Sequence, residues 1–150
     1  MSTGSRMEIE WRGDEVKAKV CEDTRRAMDR LMSDCVDAAK QMVDVRTAAL
    51  QRSIQMRPTQ YQGSALVGYW GSFGVKHAIY QEMGTGLFAP GGGMRYEIRP
   101  RRRKALWWEG LEHPVKVVHH PGVRPRPYLR PTADAIYPGL PQYIREEIAA

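Results

Sequence analysis

Six imidazole and thiol side chains are the obvious carriers of chemistry in this chain: His77, His113, His119, His120, Cys21 and Cys35. A zinc site needs such ligands converging at short, fixed spacings. Here His119 and His120 are adjacent, so on a strand they point to opposite faces, and neither cysteine has a ligand nearby in sequence. The two cysteines are fourteen residues apart in a segment that reads as one helix. At the rise of an α-helix this is about 21 Å, beyond the reach of a disulfide. Two unpaired thiols fit a reducing cytosol, and both read as small core residues. The sequence leaves a Cys–His nucleophilic pair open, but it contains no nucleophile elbow, Walker loop or His-Glu-x-x-His helix. Gly84-Thr-Gly86 and Gly91–Gly93 do not follow a strand and open a helix with dinucleotide- or phosphate-binding spacing, so they read as turns and flexible joints. We therefore expect no metal, no cofactor and no enzymatic reaction.

Charge is the next signal. The net charge is +6, yet residues 95–130 hold ten Lys/Arg against three Asp/Glu, a local +7, and the rest of the chain sums to −1. Such concentration points to an electropositive patch and an acidic partner. Arg95, Arg99, Arg101, Arg102, Arg103 and Lys104 are its centre. They read either as a phosphate- or acid-binding stripe or as a solvated strand end. No aromatics are interleaved in the run Arg99-Pro-Arg-Arg-Arg-Lys104, so any DNA contact would be electrostatic and indifferent to sequence. Trp107 and Trp108 follow at once. On a strand, one indole faces the core and the other faces out, and an exposed Trp often marks an interface; burial of both under the long helix and a loop is the other reading.

These residues need elements to hold them. Met7, Ile9 and Trp11 alternate with charged residues, a short half-buried strand. Asp14 and Glu15 offer a cap and favourable charge for a helix over 14–43. Its apolar stripe is Met28, Leu31, Cys35, Ala38, Met42 and Val45, with Glu15–Lys19 and Glu22–Arg26 as supporting pairs. Thr47 caps a second helix over Ala48–Ile54, and residues 55–64 are a polar loop. Ser64–Trp70 is a strand, His77–Met83 a short helix or strand, and 87–93 a mobile glycine loop. Further strands follow at 94–99, 106–109 and 115–119, the last two joined by a Gly110–Pro114 turn. Pro121–Pro127 is extended, Leu129–Tyr137 helical, and Pro141 begins a last helix. The sum is α+β: one long N-terminal helix packed on an antiparallel sheet of four to five strands, with a Gly-rich loop and a short C-terminal helix.

The totals agree with a single domain. The chain has 150 residues, 42% hydrophobic and 27% charged, within the range of one globular unit. We read residues 1–6 as a disordered lead, with no signal-peptide core, before one domain over 7–150. No apolar run of roughly 18 residues is present, so no membrane span is expected.

Three stretches together are familiar. Thr47-Ala-Ala-Leu-Gln-Arg-Ser-Ile54 resembles the "Thr-Gly-x-Leu-Arg-x-Ser-Ile" segment of the bacteriophage HK97 gp10-like family. His77-Ala-Ile-Tyr-Gln-Glu-Met-Gly-Thr-Gly86 resembles its "Tyr-Ala-x-Tyr-Val-Glu-Phe-Gly-Thr-Gly" motif, and Pro125-Arg-Pro-Tyr-Leu-Arg-Pro-Thr-Ala-Asp-Ala135, with the lead-in His120-Pro-Gly122, its "Pro-Arg-Pro-Phe-Leu-Arg-Pro-Ala" motif. Order and spacing agree over roughly residues 8–137. Ala48 stands where the family usually has Gly, and Met83 where it often has Phe.

The resemblance implies a neck or tail-completion protein of a long-tailed phage: a structural ring between head connector and tail tube, with DNA passing through its lumen. It implies location in the virion, after assembly in the host cytoplasm. On this reading Glu82, Gly84, Thr85, Gly86, Arg126, Pro127, Tyr128, Arg130, Trp107 and Trp108 form assembly contacts. Arg126 or Arg130 would fix Glu82. Pro125, Pro127 and Pro131 pre-order their segment, and the glycine loop orders on meeting a neighbouring ring. Partners are then further copies of the chain, head-connector proteins, tail-tube or tail-terminator proteins, and passing duplex DNA. The alternatives are a tail terminator or minor tail protein of the same particle, or a free DNA-binding protein.

Overall fold

The computed structural model describes residues 10, 12–43 and 48–150. The strand expected over 7–11, the lead at 1–6, Val45 and the Thr47 cap lie outside them.

Helix α1 runs Gly13–Met42. Asp14 and Glu15 lie inside its first turn, where their charge suits the positive helix end; the capping position is Arg12, which makes no side-chain cap. The buried face is Ala27, Leu31, Met32, Cys35, Val36 and Ala39, continued by Val43. Leu31 and Cys35 belong to the expected stripe, but Met28 and Ala38 are only half-buried and Met42 is exposed. The face is wider and rotated because two layers press on the helix, a hairpin on one side and the C-terminal helices on the other. The expected Glu22–Arg26 pair is also replaced. Arg25 bridges Glu22 and Asp29, and Arg26 turns to Asp23 and Glu147.

Helix α2 (Ala48–Ser53) leads directly into β1 (Ile54–Gln62), which pairs antiparallel with β2 (Ala65–Ser72). The stretch 55–64 is thus mostly strand, not loop. Its register slips between Arg57 and Gln60, where Pro58 has no N–H to give and a bulge absorbs the extra residue. The Thr59 N–H that the bulge turns out of the sheet donates to Asp29 Oδ1 of α1 at 2.8 Å. Inward positions are therefore Ile54, Met56 and Thr59, a spacing that breaks the period of two and hides the strand.

Helix α3 (Ala78–Met83) and a 3-10 turn at Gly86–Phe88 follow. Then β3 (Tyr96–Ile98) pairs antiparallel with β4 (Val118–His120). Helix α4 (Leu129–Ile136), a 3-10 turn at Tyr137–Gly139 and α5 (Leu140–Ala149) complete the chain. The molecule is mixed helix and sheet with a long N-terminal helix, but the single sheet of four to five strands is corrected to two separate two-stranded sheets. Of the strands expected at 106–109 and 115–119, only one bridge forms between Leu106 and Val115, and β4 begins later. A hairpin with nothing to pack on does not extend its pairing.

The core lies where α1, α2, β1 and α4 meet: Val36, Ala39, Val43, Leu50, Ile54, Ala78 and Tyr128, edged by Met56, Trp70, Val75 and Leu129. Each large apolar side chain buried here contributes about 1.5–3 kcal/mol. Helix α5 is tied across α1 by Arg30 to Glu146 and Glu147, by Arg26 to Glu147, and by Tyr143 to Asp34.

Candidate functional site

Glu82 stands in the last turn of α3, and its carboxylate reaches the start of α4. Oε2 accepts the N–H of Tyr128 at 2.8 Å and of Leu129 at 3.0 Å, and Oε1 accepts the N–H of Arg130 at 2.9 Å. The first amides of a helix have no partner inside it, and Tyr128, at the capping position, supplies no side-chain cap. Glu82 is that cap, delivered from more than forty residues away in sequence. A carboxylate on a helix N-terminus gains both charge-assisted hydrogen bonds and the favourable end of the dipole. The expected fastening by a guanidinium is corrected here for Arg130: it meets Glu82 through its backbone N–H.

Beside this cap the backbone of 84–87 lies against 121–126. Thr85 N–H donates to Val123 O at 2.9 Å, Thr85 Oγ1 accepts Val123 N–H at 2.9 Å, Leu87 N–H donates to Pro121 O at 2.8 Å, and Arg126 N–H donates to Gln81 O at 2.7 Å. The approach is too close for side chains. A Cβ on Gly86 would sit 2.4 Å from Pro121 O, and one on Gly122 would sit 1.8 Å from Thr85 O, with both glycines at positive φ. The glycines of this motif therefore serve close contact more than flexibility. The glycine loop 86–93 also carries turn hydrogen bonds of its own, Ala89 N–H to Gly86 O and Gly92 N–H to Ala89 O, so it has defined form in the single chain.

Tyr128 anchors the clasp. It is 1% exposed and packs in the core. Burial pushes its phenol up; Ser72 alongside pulls it the other way, and the Glu82 charge adds to the rise. Pro127 stays on the surface, where with Pro125, Pro131, Phe88 and Pro90 it lines a shallow groove over Glu82.

The clasp thus brings together Glu82, Gly84, Thr85, Gly86, Arg126, Pro127, Tyr128 and Arg130. It does not include Trp107 and Trp108. These lie on the arm that the clasp roots, built from β3, β4 and the irregular segment between them. Alternation fails at 106–109 because only Leu106 is bridged, so both indoles face outward, 65% and 47% exposed. Arg95, Arg101, Arg102, Arg103 and Lys104 are exposed on the same arm. Arg99 is engaged by Glu97 at 2.8 Å, which holds that carboxyl below its usual range. No residue from Thr85 to Pro127 is buried, and Met94 is 84% exposed.

Among the members of the clasp, Val123 has no place in the sequence motifs, while Gln81 and Gly122 stand in them without an assigned contact. Gly122 carried a signal, a Pro-Gly step facing a Gly-Thr-Gly, but their meeting is long-range. Among the described residues no three His, Cys, Asp or Glu side chains are placed to hold a metal ion. His120 Nδ1 instead accepts the N–H of Gly122 at 2.9 Å. No helix among the described residues is long and apolar enough to cross a membrane. Compared with family models, curated proteins and solved structures, the chain finds no match.

Proposed function

We propose that the chain is a structural subunit of the virion neck of a long-tailed phage. In this reading copies form a ring joining the head connector to the tail tube, with DNA passing through the lumen and no reaction catalysed. The observation that carries it is the excursion 85–127, fastened at its root by the clasp and containing no buried residue of its own. A segment so large, with Met94, Tyr96, Ile98, Trp107 and Trp108 all exposed, gains apolar burial only from another molecule. The two most specific motifs of the resemblance are also the two halves of that clasp, which supports their being one working unit. The test is complementation: purified protein added to phage tails lacking it should restore infectivity, while a Glu82→Ala/Gly86→Val variant should not.

One feature favours a second reading. Arg101, Arg102, Arg103 and Lys104 are exposed and form no ion pair among the described residues, which suits a duplex phosphate backbone. Tight, salt-sensitive DNA binding by a protein that leaves such tails inactive would support a free DNA-binding protein. A tail terminator or minor tail protein of the same particle shares the assembly argument, and complementation of tails blocked at those other steps separates it.

A further inference from the structure

We infer that the arm tip bearing Trp107 and Trp108 docks into an apolar cleft between α1, β2 and α5 on a second copy of this chain. The inference rests on the ring reading above and specifies its subunit contact.

The cleft has a volume of about 230 Å3 and is lined by Met28, Leu31, Met32, Trp70, Tyr137 and Leu140. That is small for a drug-sized ligand but suits a single large side chain. Its lining favours an aromatic guest: two methionine thioethers adapt to and attract aromatic rings. Tyr137 stands half-exposed at the mouth, its hydroxyl accepting the Nε1–H of Trp70 at 2.7 Å. Neither Trp107 nor Trp108 of the same copy lines the cleft.

Charge selects the same pairing. Residues 95–116 carry seven Lys/Arg against three Glu, a net +4. The lining itself is uncharged, and the helices that flank the cleft, α1 from Glu22 to Asp37 and α5, carry seven Asp/Glu against four Arg, a net −3. Opposite fields bring arm and cleft together and keep arm from arm. Arm and cleft are different surfaces, so the contact is head-to-tail, the kind that closes into a ring. The clasp sets the direction in which the arm leaves the body and so the angle between successive copies.

The test uses the full chain and two variants. Trp107→Ala/Trp108→Ala removes the guest, and Leu140→Arg spoils the cleft. Each alone should be monomeric by sedimentation, with association weakened by about tenfold or more. At concentrations where the wild type is itself monomeric, the tryptophan variant should melt as the wild type does, because both indoles are exposed and only association would separate the two. Mixed one to one, the variants retain one good arm and one good cleft, and should form a heterodimer that grows no further. If Leu140→Arg does not fold, Met28→Trp fills the cleft instead and should behave likewise. A tryptophan variant that assembles as the wild type does, or a mixture that stays monomeric, overturns the inference. A wild-type chain that never self-associates overturns it too, and complementation then judges the ring reading by itself.

Discussion

At the residue scale, Glu82 holds the root of the arm to the body. One carboxylate accepts three amides at the start of α4, where Tyr128 supplies no side-chain cap. Because Glu82 is part-exposed, Glu82→Ala should cost about 1–2 kcal/mol, within the usual range for lost caps. That corresponds to a melting temperature lower by about 2–8 °C. Glu82→Gln keeps an acceptor and should lose less. The same change should speed proteolysis within 85–127, where the clasp is the root. If Glu82→Ala melts with the wild type and resists protease equally, the carboxylate is not the cap described here. The buried acids give a second prediction. Burial pushes the Cys35 thiol from 9.0 up to about 11, with the charge of Asp34 adding to it, and burial raises the Tyr128 phenol as well. A group whose folded value lies above its unfolded one gives its full stability below the unfolded value and loses it as pH rises through the folded one. Stability should therefore hold up to about pH 9 and fall from there through about pH 11. Denaturant midpoints against pH should show a shallower fall for Cys35→Ala.

At the element scale, the hairpin β1–β2 depends on Asp29. Its Oδ1 takes the Thr59 N–H turned out by the bulge, and its Oδ2 takes Arg25 at 2.9 Å. Asp29→Ala leaves a buried amide unpaired and should cost about 1–3 kcal/mol, whereas Arg30→Ala on the exposed α1–α5 bridge should cost at most about 1 kcal/mol. Equal losses from the two, by urea unfolding, would contradict the role given to the bulge. This region also marks what was legible in the sequence. Helices α1, α2, α4 and α5 were readable because apolar spacing, acidic first turns and Pro or Gly breaks are local signals. Strand β1 was not: Pro58 and a polar outer face imitate a loop, and the Asp29 contact that resolves the bulge spans thirty residues. The strands at 106–109 and 115–119 were over-read because alternation alone does not supply a surface to pack on. Members of the clasp were found as separate motifs, but their hydrogen bonds run between segments forty residues apart, and the helix cap in particular has no local signature.

At the scale of the whole molecule, two halves differ in kind. The body of α1, α2, β1–β2, α4 and α5 holds the core, while the arm rooted between Thr85 and Pro127 has no buried residue and carries nine Lys/Arg against three Glu, a net +6. The neck reading makes that division functional: the body is the brick and the arm is the joint. Charge reversal at Arg101, Arg102 and Arg103 should then reduce DNA retention in particles or particle assembly, and any duplex binding by the free chain should weaken steeply between 50 and 200 mM salt. Unchanged particles with reversed charge would show that the basic segment has no such role. The most direct test is the mass of the full chain by light scattering, with negative-stain imaging of the protein alone and with tails that lack it. Closed rings are expected, or protein bound at one end of the tail with infectivity restored. A strict monomer that neither binds tails nor restores infectivity would contradict the neck reading.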